Sequence, residues 1–109
     1  MRKFYFYGSI LRLFIINAGA DTQDSIVSGY LDVADGKLYY ETCGNGDETI
    51  IFIHDGLVHG DVWDGQFSIF AEKYRVIRYD RRGYGRSPMP QKKYSPIEDL
   101  YTVQNFFNY

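Results

Sequence analysis

Cysteine, proline, tryptophan and histidine are all scarce in this chain of 109 residues, which has one, three, one and two of them respectively. A lone thiol, Cys43, excludes an intrachain disulfide framework and lacks the companions a zinc site needs, so it reads as a small apolar filler in a strand. Charge of one sign is also lacking: 12 basic residues against 14 acidic ones give a net charge of -2 and a pI near 5.6. The one basic cluster, Arg81, Arg82 and Arg86, is no stripe, and nucleic acid is not expected as a partner. No apolar run is long and uninterrupted enough to span a bilayer. Repeats and low-complexity segments are missing, and with 45% apolar and 24% charged residues the chain is expected to be ordered. Its length allows one domain with a modest core. What it has in excess is aromatic residues, 18% of the chain, with 11 Tyr and 8 Phe.

Residues 1–20 differ from the rest. Arg2 and Lys3 lead an apolar stretch through Leu11, Leu13, Phe14, Ile15 and Ile16 to Ala18-Gly19-Ala20, the arrangement of a secretory leader with a small-residue cleavage site. Gly8 and Arg12 interrupt it. If this is a leader, the protein is secreted or periplasmic and its domain is residues 21–109; the alternative is an N-terminal extension on a cytoplasmic protein. All three charges of the segment are positive, so the remainder holds 9 basic residues against 14 acidic ones.

Beyond the leader the pattern is α/β. Ser25 to Val33 and Lys37 to Thr42 are β-rich runs meeting at Asp35-Gly36, a dipeptide suited to the positive φ angles of a tight hairpin turn. Cys43-Gly44-Asn45-Gly46-Asp47 is turn chemistry. Thr49 to Ile53 is then continuously apolar and β-branched, as in a strand covered on both faces of a parallel sheet. Asp61 is expected to cap a helix whose apolar positions Trp63, Phe67, Phe70, Ala71 and Tyr74 recur at helical spacing. Arg75 to Tyr79 returns as a strand, completing a βαβ unit expected to be right-handed. Ser95-Pro96-Ile97-Glu98 reads as a capping box with Pro at the first helical position, opening a helix with Leu100, Val103 and Phe107 on one face and no stop signal before Tyr109.

Two loop motifs follow the two parallel strands. The first strand empties into His54-Asp55-Gly56 with Trp63 downstream, and the second into Asp80-Arg81-Arg82-Gly83-Tyr84-Gly85-Arg86-Ser87. In this order and spacing they resemble the N-terminal portion of an α/β-hydrolase, over about Gly29 to Phe107. The resemblance implies an antiparallel hairpin leading into parallel strands, with Arg75 to Tyr79 lying between the hairpin and Thr49 to Ile53. It also implies hydrolysis of an ester, amide or related bond by a Ser or Asp nucleophile activated by a His-acid pair, without a cofactor. A small-molecule substrate is the partner so implied.

In acyl transfer by that fold, two backbone N–H groups hold the developing oxyanion, one of them from the loop after the third strand. Gly56 matches that position, where the missing Cβ lets backbone approach the substrate oxygen. Asp55 departs from the family, which usually has Gly there; a carboxylate aimed at an oxyanion would disfavour its charge. His54 is expected to orient the loop rather than act as base, since the family's catalytic histidine follows nucleophile and acid along the chain. Asp80 and Arg82 resemble loop-fixing residues, Gly83 and Gly85 permit a sharp path, and Ser87 closes the motif. His59 is expected at the solvent side or pocket rim, and Trp63 in the core.

No Gly-x-Ser-x-Gly occurs, and none of Ser9, Ser25, Ser28, Ser68, Ser87 or Ser95 has an elbow's flanking glycines. The expectation is therefore a fragment truncated before the nucleophile elbow, inactive alone, whose Thr49 to Ile53 edge is left open and apolar and lowers its solubility. A missing C-terminal part, or a partner, would cover that edge. The non-catalytic alternative is a remnant or interaction module that uses the edge to bind. A metal-binding reading of His54, Asp55, His59, Asp61 and Asp64 is weaker, because ligands so spaced in one loop do not converge unaided.

Overall fold

A computed structural model describes residues 3–7, 26–56 and 59–108. Its centre is a five-stranded mixed sheet of β1 (Lys3–Tyr7), β2 (Val27–Val33), β3 (Gly36–Cys43), β4 (Glu48–Ile53) and β5 (Arg75–Tyr79), in the order β1-β4-β5-β3-β2. A 3-10 turn over Gly60–Trp63 runs into α1 (Asp64–Phe70), and α2 (Pro96–Phe107) closes the described fold. β4 and β5 pair in parallel from Thr49 with Arg75 to Ile53 with Tyr79, β3 pairs antiparallel with β5, and β2 with β3. The expected α/β architecture, a hairpin leading into a parallel βαβ unit and a further helix, is thus observed, with β5 between hairpin and β4.

Strand periodicity sorts the side chains into two cores, one on each face of the sheet. Ile51 and Ile77 join Leu31, Val33, Leu38 and Tyr79 against Val103 and Phe107 of α2. Ile50, Phe52, Val76 and Cys43 meet Trp63, Phe67 and Ala71 on the α1 face. A strand covered on both sides cannot alternate apolar with polar, which is why β4 reads as a continuous apolar run. Cys43 and Trp63 are core residues, as expected. Even the polar members of β5 are buried: Arg75 donates to Thr49 Oγ1 and to the Phe107 carbonyl on the α2 side. Arg78 spans Glu41 and Asp64 at 2.6 Å each on the other face, over the ring of Phe67.

Four local expectations are corrected. The hairpin turn is Ala34-Asp35, one residue earlier than Asp35-Gly36: Asp35 alone has positive φ (58°), while Gly36 pairs with Val33 inside β3. A Cβ on Gly36 would lie 3.2 Å from Arg82 Nη1, so glycine serves close approach there. Asp61 lies within the 3-10 turn and does not cap it; His59 Nδ1 accepts from the Asp61 N–H at 3.4 Å. Ser95 Oγ does accept from Glu98 N–H at 3.2 Å and Pro96 opens α2, but the helix ends at Phe107, where Asn108 is extended.

The fourth correction is the largest. The β4 edge expected to be open carries β1, paired in parallel from Lys3 with Glu48 to Tyr7 with Phe52. The hairpin is therefore not the first element. Most of the residues read as a leader, 8–20, lie outside the described residues, and the part that is described is this strand.

Core position predicts mutational cost. Leu38, with no exposed surface, replaced by Ala should lose about 2–5 kcal/mol of unfolding free energy through lost burial plus a residual cavity. Exposed Val62 replaced by Ala should stay within about 0.5 kcal/mol. Urea titrations of the two variants beside the parent chain would show this contrast or its absence.

Candidate functional site

The chain leaves parallel strands at their carboxyl ends, and in open α/β sheets that is where ligands are met. Here the loops after β4 and β5 lie side by side and are tied together at Asp80, just past the end of β5. Asp80 is 1% exposed. One oxygen accepts from the Gly60 N–H at 2.6 Å and the other from the Arg86 N–H at 2.8 Å. Its main-chain oxygen accepts from Ser87 Oγ at 2.5 Å, and Ser87 Oγ in turn accepts from the Tyr39 N–H at 2.9 Å. The Asp80 N–H donates to the Tyr39 carbonyl at 3.0 Å. One residue thus joins β3, the 3-10 turn and the Arg86 turn.

That closeness dictates the glycines. A Cβ on Gly85, whose φ is 50°, would come 2.3 Å from Asp80 Oδ2, and one on Gly60 2.8 Å from Oδ1. Gly83 also has positive φ, 81°, in a turn closed by its N–H to the Pro88 carbonyl. Ser87, buried and committed to two backbone partners, has no free hydroxyl for nucleophilic attack; its motif role is structural, as expected.

His54 braces the other loop. The Arg81 N–H donates to Nε2 at 2.8 Å, which places the ring proton on Nδ1, 2.6 Å from the Asp55 carbonyl oxygen. The ring is 2% exposed and packs edge-on to Tyr84. Burial lowers its pKa below the ordinary histidine value, outweighing the upward influence of the Asp55 carbonyl and the Asp80 charge. A neutral imidazole with both nitrogens engaged orients the loop and has no lone pair left for a substrate proton. His59 is exposed, as a rim residue should be.

Gly56 follows at the tip of this loop, exposed, and no described residue accepts a hydrogen bond from its N–H. A Cβ there would meet only the Tyr84 hydroxyl, at 3.3 Å. The Asp55 side chain is exposed as well. Beside the loops a cleft of about 270 Å³ starts at Ile53 and Tyr79, the last residues of β4 and β5, and continues along Tyr94, Pro96, Ile97 and Leu100. Among the described residues no group of three His, Cys, Asp or Glu gathers in a metal-holding arrangement.

The partner of Arg82 was not foreseen. Its guanidinium grips Asp99 of α2 with two bonds of 2.8 Å, adds the Ala34 carbonyl of the hairpin turn at 2.5 Å, and lies over the Tyr94 ring. Asp99 falls in the first turn of α2, where its acid group reads only as favourable to the helix dipole; its burial at 5% exposure has no signal in the local pattern. Arg86 is shared between Asp61 at 2.9 Å and Glu41 at 3.7 Å.

Two outcomes follow. Asp99→Ala strands a buried guanidinium and should cost about 3–5 kcal/mol, whereas Arg82→Met with Asp99→Leu should recover most of it, since an apolar replacement leaves no unpaired charge; equilibrium unfolding of single and double variants reads the difference. For His54 the folded pKa is depressed, so its stabilisation is complete above about pH 6.5, the unfolded value, and declines as pH falls from there through the folded pKa. The stability gap between the parent chain and His54→Gln should narrow over that window in urea melts.

No protein-family model matches the chain. It is 43% identical over 70 residues to a putative non-heme chloroperoxidase of Synechocystis sp., covering 61% of this chain and 25% of that protein. It is 37% identical over 84 residues to a probable oxidoreductase, EphD, of Mycobacterium tuberculosis (73% and 13%). The match to a bifunctional esterase/perhydrolase of Acinetobacter calcoaceticus is 42% over 62 residues (54% and 22%). The chain therefore spans a quarter or less of the length of these relatives. Among solved structures it superposes on the Cif epoxide hydrolase of Acinetobacter nosocomialis with a TM-score of 0.68 at 22% identity (75% of this chain, 27% of that one). A thioesterase domain from the curacin biosynthetic pathway gives a TM-score of 0.62, also at 22% identity (76% and 31%). By these similarities the chain belongs to the α/β-hydrolase fold family, of whose members it covers a part.

Proposed function

We propose that this chain is the oxyanion-side front end of a hydrolase that cleaves an ester, amide or related bond by nucleophilic catalysis, with Gly56 supplying one of the two backbone N–H groups that hold the developing oxyanion. The observation that carries the reading is the Gly56 N–H itself. Gly56 is exposed, its N–H donates to no described residue, and the loop bearing it is braced by His54 and by the Asp80 network. A donor aimed in advance at developing charge stabilises the transition state without reorganising during reaction. The hydrolase-type names of the relatives support the reaction class.

Because the chain spans a quarter or less of those relatives, nucleophile, acid and catalytic histidine are assigned to sequence outside these 109 residues. The chain alone is then inactive, having at most one backbone oxyanion donor. The reading needs no metal or organic cofactor. Neither export through residues 1–20 nor its cytoplasmic alternative enters the chemistry.

In the polypeptide carrying the whole fold, Gly56→Pro deletes the N–H and should lower kcat for p-nitrophenyl acetate about 10²–10³-fold with KM little changed. Gly56→Ala keeps the N–H and should stay within a few-fold of the parent. Equal losses in the two variants, with melting temperatures unaltered, would remove Gly56 from the oxyanion site. The purified 109-residue chain should show no turnover above its buffer control; activity coeluting with it through two columns would contradict the assignment of the nucleophile elsewhere.

A further inference from the structure

Tyr84 stands in the middle of the loop of residues 80–87, and its neighbours fix its place. It lies between Gly83 and Gly85, both of positive φ. Its N–H donates to the Arg81 carbonyl at 3.0 Å, and its own carbonyl accepts from the Ser87 N–H at 2.9 Å. Both backbone groups are therefore spent on the turn. The ring meets that of His54 edge-on with centroids 5.2 Å apart, and the Arg81 guanidinium lies 5.9 Å from its centre. Packing of this kind sets the direction in which a half-buried tyrosine carries its polar tip.

That tip has no partner among the described residues. Neither nitrogen of His54 is open to it, since Nε2 accepts from the Arg81 N–H and the Nδ1 proton goes to the Asp55 carbonyl. Phenylalanine would brace the imidazole as well as tyrosine does, so the bracing leaves the hydroxyl unexplained. What lies nearby is Gly56. A Cβ built there would stand 3.3 Å from the Tyr84 hydroxyl oxygen. Because the nitrogen and Cβ of one residue are about 2.5 Å apart, the Gly56 nitrogen and the Tyr84 oxygen are separated by at most about 5.8 Å. A single acceptor oxygen about 2.9 Å from each donor spans that distance. Glycine at position 56 puts no side chain of its own beside the hydroxyl.

We propose that Tyr84 is a catalytic residue of this site, its hydroxyl donating a hydrogen bond to the same developing oxyanion as the Gly56 N–H. The assignment rests on the reading of Gly56 given above and adds a side-chain donor to it. No proton changes hands: the O–H dipole faces charge that forms on the acyl oxygen of the substrate. The bond strengthens as that charge develops, so it acts on the barrier more than on ground-state binding. The loop supporting it is already closed on both sides of Tyr84, and the donor needs no reorganisation during reaction.

Tyr84→Phe separates the hydroxyl from the ring. In the 109-residue chain this variant should unfold at the parent's urea midpoint, because no described bond is lost; a lowered midpoint would mean that the hydroxyl is consumed within the fold and would overturn the proposal. In the polypeptide carrying the whole fold, it should lower kcat for p-nitrophenyl acetate about tenfold with KM little changed. A loss confined to KM would assign the hydroxyl to ground-state binding and count against the oxyanion role. Gly56→Pro, measured beside it, separates the two readings. Parent-like kcat in Tyr84→Phe while Gly56→Pro is impaired would overturn the role of Tyr84 and leave that of Gly56 standing. Parent-like kcat in Gly56→Pro would remove the shared oxyanion position itself, and the assignment of Tyr84 would fall with it.

Discussion

The Asp80 carboxylate is the constraint on which the site depends. A carboxyl group on a residue 1% exposed is tolerated only where donors replace its lost hydration, and here two backbone N–H groups do so at 2.6 and 2.8 Å. Those donors belong to different loops. Satisfying one buried charge therefore fixes the start of the 3-10 turn against the turn after β5, and Ser87 extends the tie to β3 through Tyr39. The demand also explains residues with no chemistry of their own: Gly60 and Gly85 are glycine because a Cβ at either would sit in the space the carboxylate occupies.

A second layer of charge secures what surrounds this node. Arg78 and Arg82, close together in sequence, serve different parts of the fold. Arg78 holds α1 to the hairpin through Asp64 and Glu41. Arg82 holds α2 to the hairpin turn through Asp99 and the Ala34 carbonyl. Each helix is thus docked by an apolar face and by guanidinium groups, with Arg75 adding a bond to the Phe107 carbonyl of α2. Buried ion pairs contribute less to net stability than their Coulomb attraction suggests, since desolvation offsets much of it. What these arginines supply is orientation: a planar fork satisfied by carboxylate and carbonyl together accepts few alternative placements of the helix.

How much was legible in the sequence follows from the range of each interaction. β4 and β5 were read to within a residue, because burial on both faces writes itself into consecutive apolar residues. The interior positions of α1 and α2 were read for the corresponding reason, a helical repeat of apolar side chains. His54, Asp80, Arg82 and the glycines could be placed through the family resemblance, while their bonds could not. The Arg82–Asp99 pair spans 17 positions and nothing local marks the buried acid. The turn phase at Ala34-Asp35 differed from expectation because Asp tolerates positive φ well enough to take the position assigned to Gly36. Lys3–Tyr7 was missed because a short aromatic run beside basic residues and an apolar stretch has the composition of a leader as well as that of a strand.

The placement of that missed strand bears on the site through β4, the strand from which the Gly56 loop departs. The described ties to the two loops come from β2, the hairpin turn, β3, β5, the 3-10 turn and α2. β1 pairs along Glu48 to Phe52 and stops before Ile53, the residue from which the Gly56 loop departs. The sheet accordingly has a braced part, β4-β5-β3 with both helices, which carries the loops, and a terminal strand held by one ladder. Loss of β1 would bare the outer edge of β4 without removing any of the hydrogen bonds described at Asp80. A sheet so divided can keep the geometry of its two loops independent of what covers its edge, because the bonds that fix the loops are made on the β5 side of β4.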